Sequence, residues 1–183
     1  MLTGKSVPHG PLELPNSPST SEEGSDEDRT RGDCYVESAG IAHIMRKRLS
    51  KAEKNGIGIA YCTLVSFNAV EEDVLRYAVD TIDGELTRRG GCMFKVGITH
   101  GPYFRFFNRK FGYKTESPPW QHMETIWCSY PKKCGWLEKA LISYYRAVAA
   151  KGLQNIRNGD DSRPASAPCF VYCVFGGPIY TRT

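Results

Sequence analysis

The sequence predicts one domain of mixed α and β structure behind a polar leader. After residue 33, short runs rich in β-branched and aromatic residues alternate with longer segments whose apolar residues recur three or four apart. The runs predict strands at 57–67, 92–99, 123–130 and 169–175, and the longer segments predict helices at 39–54, 69–87 and 135–150, with a short helix at 102–111. The chain has 183 residues, of which 40% are hydrophobic and 24% charged, so a fully disordered protein is excluded.

Residues 1–33 predict a disordered acidic leader. They hold three basic and seven acidic side chains, a net charge of −4, and they are rich in proline, serine and glycine. With so few apolar side chains to bury, the segment gains too little to offset the entropy of ordering it. The remaining residues hold 21 basic and 13 acidic side chains, a net charge of +8. This charge favours a polyanionic partner such as nucleic acid, and a basic surface without such a partner is the alternative.

The apolar runs and the cysteines indicate an intracellular protein, nuclear or cytoplasmic, without a membrane partner. No apolar run approaches the ~20 residues that cross a bilayer, and the N-terminus has no signal-peptide core. The seven cysteines form no pair of CxxC motifs, which is typical of buried thiols in a reducing compartment. The alternative is a zinc site made by His122, Cys128 and Cys134, for which a fourth ligand is not evident.

Residues 34–56 predict a basic amphipathic helix. Its apolar face consists of Ile41, Ile44, Met45 and Leu49, and five Lys or Arg side chains lie on the other face. Such a helix can lie on a polyanion or a membrane surface, or it can simply expose its polar face to solvent.

The residues best suited to chemistry lie in the second half of the chain. Gly97 leaves a strand just before a turn, where a missing side chain lets a ligand approach the backbone. Arg105 follows in a predicted helix and offers a planar fork to phosphate oxygens. Glu138 lies beside the apolar stripe of the helix at 135–150, where a carboxylate needs a metal or an arginine as its partner. These residues indicate a candidate phosphate site, and a structural role for each one alone is the alternative.

The order of these elements resembles the GIY-YIG nuclease superfamily. The matching elements are Lys95-Val-Gly97, Thr99, Arg105, Trp136-Leu-Glu138 and Asn155, followed by a closing strand. They cover about residues 92–175 and are closest to the branch whose second signature reads Lys-Ile/Val-Gly-x-Thr. The resemblance implies a small antiparallel three-stranded sheet flanked by helices within residues 57–180, with an extra N-terminal helix and a candidate helical insertion at 68–90.

The resemblance also implies a function, namely a divalent-metal-dependent endonuclease that hydrolyses phosphodiester bonds in DNA. Glu138 matches the ligand of one Mg²⁺ or Mn²⁺ ion, and Arg105 matches the arginine that stabilises charge on the phosphate. The expected contacts to nucleic acid are Lys95, Gly97, Thr99, Arg109, Lys110 and Asn155.

The general base stays open. Lys95 replaces the second signature tyrosine, and the first signature would be Gly58-Ile-Ala-Tyr61, which lies 34 positions earlier. Tyr61 is therefore a candidate base if the segment at 68–90 is an insertion, and His100 and Tyr103, both near the glycine turn, are the fallback candidates. The alternative function is a module of the same fold that binds nucleic acid or protein without cleavage. In that case the aromatic residues between 104 and 113 would stack on bases while the interleaved basic residues contact phosphate.

Overall fold

The computed structural model describes residues 33–60, 69–116, 120–156, 159 and 167–178. In chain order the elements are α1 (Asp33–Glu53), β1 (Gly58–Ile59), α2 (Glu71–Arg88), β2 (Cys92–Thr99), α3 (Pro102–Phe107), a 3₁₀ helix (Tyr113–Thr115), β3 (His122–Ser129), α4 (Pro131–Ala147) and β4 (Cys169–Pro178). The predicted α+β class is confirmed. The predicted leader, apart from Asp33, and the candidate base Tyr61 lie outside the described residues. Within them, no helix is long and apolar enough to cross a membrane.

The sheet has four strands in the order β1-β3-β4-β2. β4 pairs antiparallel with both β2 and β3, while β1 pairs with β3 in parallel through Gly58 and Ile59. The implied sheet of three antiparallel strands is therefore corrected by one short parallel strand at the edge. The parallel pairing is possible because α2 and β2 separate β1 from β3, a connection long enough to bring the chain back in the same direction.

The central strand β4 is covered on both faces of the sheet. Val171, Cys173 and Phe175 pack into one apolar cluster with α2 and α4, while Tyr172 and Val174 pack into a second cluster with α1, α3 and the 3₁₀ helix. These five residues are each 2% exposed or less. The two sides are called here the α2/α4 face and the α1/α3 face.

Helix α4 anchors the α2/α4 face. It buries Leu137, Leu141 and Ile142 completely, and the hydroxyl of Tyr145 lies 2.9 Å from Oδ1 of Asp83 on α2. The helix begins at Pro131, earlier than the predicted start at 135, because proline at the first helical position loses no intrahelical hydrogen bond.

Helix α1 lies on the α1/α3 face and is only partly as predicted. Leu49 is buried, but Ile44, placed on the apolar stripe by its spacing, is 40% exposed. Arg48, predicted on the solvated side, turns inward instead, and its Nη1 donates to the carbonyl oxygens of His100 at 2.6 Å and Pro168 at 3.3 Å. The carbonyl just after β2 and the carbonyl just before β4 thereby gain a charged donor.

The outer edge of β2 is closed by the segment that follows α4. The Phe94 amide donates to the Gly152 carbonyl at 2.8 Å, and the Gln154 amide donates to the Phe94 carbonyl at 2.9 Å. Asn155 then uses both ends of its side chain on Val96, accepting from its amide at 2.9 Å and donating to its carbonyl at 2.8 Å. These bonds pair backbone groups that an edge strand would otherwise leave open.

The suggested zinc site is not present among the described residues. His122 and Cys128 lie on one strand six residues apart, about 20 Å at the usual strand rise, so they cannot share one ion. Across the described ranges, no three His, Cys, Asp or Glu side chains come together to hold a metal. Cys128 and Cys134 are buried free thiols, as are Cys169 and Cys173.

Alkaline pH is expected to destabilise this fold. Burial raises the pKa of the Cys128, Cys134 and Cys173 thiols, so they stay protonated in the folded chain at a pH where they ionise in the unfolded one. Their stabilisation is fully present below about pH 8.5, the ordinary thiol pKa, and is lost as the pH rises above it. Each thiol should lower the free energy of unfolding by about 1.4 kcal/mol per pH unit in that range.

Urea denaturation of the reduced protein at several pH values above neutrality measures this slope. Cys128→Ala removes one of the three thiols, so its slope should be shallower by about 1.4 kcal/mol per pH unit. If this substitution leaves the slope unchanged, the loss of stability at alkaline pH does not come from the Cys128 thiol.

Candidate nucleic-acid interface

Arg105 is held in one orientation on the α1/α3 face. It lies on α3, partly buried, where its Nε donates to the hydroxyl of Tyr172 at 3.3 Å and its Nη1 donates to the carbonyl of Phe111 at 2.8 Å. Its Cζ lies 4.3 Å from the ring centroid of Tyr113. Two hydrogen bonds and the neighbouring Tyr113 ring hold the guanidinium in place, which pre-organises it for an oxyanion.

The two tyrosines beneath Arg105 form one hydrogen-bonded pair. Their hydroxyl oxygens are 2.9 Å apart, and both rings are almost fully buried. Burial raises the pKa of Tyr172 well above its ordinary value, the neighbouring Tyr113 adds to this, and Arg105 opposes it. Tyr172 is therefore a neutral phenol at physiological pH and leaves the positive charge of Arg105 uncompensated.

Gly97 provides the space for this arrangement. It lies directly opposite Tyr172 in the register of β2 and β4. A Cβ at position 97 would lie 2.5 Å from the Tyr172 hydroxyl oxygen and 2.7 Å from Cζ, closer than carbon atoms tolerate. The space that the sequence analysis reserved for a ligand is occupied by the Tyr172 ring.

Lys95 brings a second positive charge to the same aromatic residue. It precedes Gly97 by two positions on β2, on the same face of the sheet, and its Nζ lies 5.6 Å from the Tyr113 ring centroid. None of the ion pairs formed between described residues involves Lys95 or Arg105. Two like charges thus converge on one ring, an arrangement that an anion would stabilise.

The turn after β2 is built by its own polar groups. The hydroxyl of Thr99 accepts from the Gly101 amide at 3.2 Å, a local bond that shapes the turn. The Nδ1 atom of His100 is buried and has no hydrogen-bond partner within the described part of the chain. His100 lies in the turn that leads into α3, five residues before Arg105.

The basic residues after α3 project from a tight turn. Arg109 and Lys110 are exposed, and the side chain of Asn108 accepts from the amides of Lys110 at 2.8 Å and Phe111 at 3.2 Å. A Cβ at Gly112 would lie 2.5 Å from the backbone of Asn108, so only glycine closes this turn. The turn therefore keeps Arg109 and Lys110 on one short segment that follows the helix of Arg105.

Glu138 lies apart from this group. It is 8% exposed on α4, the helix that packs on the α2/α4 face, whereas the contacts of Arg105 lie on the α1/α3 face. A Cβ at Gly159, which has a φ of +83°, would lie 3.0 Å from Oε2 of Glu138, so the chain passes close to this carboxylate. The described contacts thus bring together Lys95, Gly97 and Arg105, and they do not include Glu138.

The sequence analysis missed Tyr172, and it expected Tyr113 to stack on bases rather than to lie buried beneath Arg105. Tyr172 interrupts the apolar run of β4 with a hydroxyl, and a buried phenol needs a hydrogen-bond partner. That signal was present, but the partners are 59 and 67 positions away along the chain. Only the fold shows that they are Tyr113 and Arg105.

Comparisons with protein-family models, with curated proteins and with solved structures return no match for this chain. The resemblance to GIY-YIG nucleases therefore depends on the order of its sequence elements alone.

Gly97→Ala is expected to destabilise the protein. The added methyl group meets a ring that is buried on all sides, and such overpacking costs about 1–3 kcal/mol. Gly84→Ala is the matched control, because position 84 is exposed in the middle of α2 with nothing within 4 Å of the new methyl. The control should gain about 1 kcal/mol through helix propensity. Urea denaturation measures both, and a neutral Gly97→Ala would show that Tyr172 is free to move.

Proposed function

We propose that this domain binds nucleic acid through a phosphate held between Arg105 and Lys95. The observation that carries the proposal is the convergence of these two cations on the ring of Tyr113, with no carboxylate paired to either among the described residues. Arg105 donates two hydrogen bonds within the protein, from Nε to Tyr172 and from Nη1 to Phe111. The guanidinium carries five N–H donors, so its remaining donors and the Lys95 ammonium are suited to donate to one phosphate group.

The surrounding charge supports a polyanion rather than a single small anion. Residues 104–114 hold four basic side chains and no acidic one, and three of the four, Arg109, Lys110 and Lys114, are exposed. A row of cations beside a fixed arginine matches the repeated phosphates of a nucleic-acid backbone. DNA is the proposed partner, and the antiparallel strands β2, β3 and β4 are the scaffold of the proposed site.

Arg105→Ala should weaken DNA binding and reduce its dependence on salt. Losing one phosphate contact lowers the slope of log affinity against log salt concentration by about one. Fluorescence anisotropy with a labelled oligonucleotide across a salt series measures both quantities. The matched control is Arg76→Ala, which removes an exposed arginine paired with Asp73 on α2 and should leave affinity and slope unchanged. Equal effects of the two substitutions would mean that DNA binding depends on general surface charge and not on a site at Arg105.

Hydrolysis of the bound DNA is the second candidate function, favoured by the burial of Glu138. A helical glutamate is usually exposed, and this one is 8% exposed with the backbone of Gly159 against it. Mg²⁺ is commonly held by one or two carboxylates together with water and substrate phosphate, so a single carboxylate fits an ion that arrives with its substrate. The ion would supply the charge that polarises the phosphate, and Glu138 would hold it. His100 and Tyr61 remain the candidate bases.

Glu138→Gln separates the two functions. If the domain is a nuclease, the parent protein should cleave supercoiled plasmid or branched DNA in the presence of Mg²⁺ or Mn²⁺. Glu138→Gln should abolish this cleavage and leave DNA affinity unchanged. Glu72→Gln, on the exposed side of α2, is the control and should cleave normally. Full cleavage by Glu138→Gln would refute the metal assignment. Salt-dependent binding by the parent with no cleavage under either metal would leave the binding module as the function.

A further inference from the structure

Two phenylalanines lie exposed beside the candidate phosphate site. Phe104 on α3 is 57% exposed and Phe111 in the following turn is 50% exposed. Their ring centroids are 5.4 Å apart with an interplanar angle of 65°, so together they form one apolar patch. Removing a phenylalanine ring from water is favourable, and neighbouring exposed rings mark a contact surface more often than isolated ones do.

The patch is joined to the phosphate site by a direct hydrogen bond. Nη1 of Arg105 donates to the backbone carbonyl of Phe111 at 2.8 Å, so the arginine and the ring are positioned together. Asn108 and Gly112 hold the turn that carries Phe111, and this rigidity lowers the entropy cost of binding. Phe106, two residues from Phe104 on the same short helix, is only 3% exposed. The helix therefore buries one aromatic ring in the core and leaves the other on the surface.

The charge of residues 104–114 determines which partner fits the patch. Four cations and no acidic side chain lie between residues 104 and 114, and the acid that follows, Glu116, already accepts from Nε1 of Trp120 at 2.8 Å. A partner here must therefore combine an apolar planar surface with repeated negative charge. Nucleic acid has both, and an aromatic ring stacks on a base only where that base is unpaired.

We infer that the Phe104/Phe111 patch stacks on unpaired bases, so that the domain prefers single-stranded nucleic acid to duplex. This inference depends on the phosphate contact proposed for Arg105, because the hydrogen bond from Arg105 positions the patch beside the backbone that it would follow. The helix α3 has six residues and is too short to read a major groove as a recognition helix does. Stacking of this kind tolerates any base, so little sequence preference is expected.

The test compares three labelled oligonucleotides of equal length, namely a thymidine strand, the same strand with abasic sites, and a duplex. The abasic strand keeps every phosphate and removes every base, so it isolates the stacking contribution. The parent protein should bind the thymidine strand most tightly. The double variant Phe104→Leu/Phe111→Leu keeps the apolar bulk and should lose about fivefold or more for the thymidine strand, with binding to the abasic strand unchanged. Phe104→Tyr/Phe111→Tyr keeps both rings and should bind as the parent does.

Tyr130→Leu is the matched control, because Tyr130 is an aromatic residue 41% exposed at the start of α4 and should not affect the preference. Equal binding of the three probes by the parent and the leucine variant would overturn the inference and leave the phosphate contact intact. The rings would then be free to serve a protein partner instead. No salt-dependent binding to any probe would overturn the proposed function itself, and the inference with it.

Discussion

The hydroxyl of Tyr172 lies at the centre of the sheet, where water does not reach it. β4 is paired on both sides and covered on both faces, so any polar atom that it carries must find a partner inside the protein. Tyr113 and Arg105 supply those partners at 2.9 Å and 3.3 Å. The buried Tyr172 hydroxyl, which needs a hydrogen-bond partner, therefore positions Arg105. The Tyr172 ring also leaves no room for a side chain at position 97, so that residue is glycine.

Both faces of the sheet combine buried rings with cations at the margin. On the α2/α4 face, Cζ of Arg89 lies 5.2 Å from the ring centroid of Phe175. On the α1/α3 face, Nζ of Lys51 lies 4.3 Å from the ring centroid of Tyr103. Aromatic rings tolerate a neighbouring cation where aliphatic side chains do not, so a face built of tyrosine and phenylalanine can place charges beside a buried core.

The sequence predicted the local elements better than their arrangement. The strand at 92–99 and the start of the closing strand at 169 agree with the structure, because short runs rich in β-branched and aromatic residues favour strands. The position of β4 between β2 and β3 depends on pairing across the whole chain, which periodicity does not encode. Within the site, Arg105 and Gly97 were found from their types and spacing. Tyr172 was missed because its role depends on contacts that the fold alone creates.

The segment from Gly152 to Asn155 links the two parts of the candidate site. It closes the edge of β2, so an extended peptide cannot add a strand beside Lys95 and Gly97, and the approach for a ligand lies over the α1/α3 face. Four residues after Asn155, the same segment reaches Gly159, where the backbone lies against the Glu138 carboxylate. Asn155 therefore fixes the strand that carries Lys95 by binding both backbone groups of Val96. These bonds hold the binding surface in place whether or not Glu138 acts on the bound phosphate, because they depend only on the edge of β2.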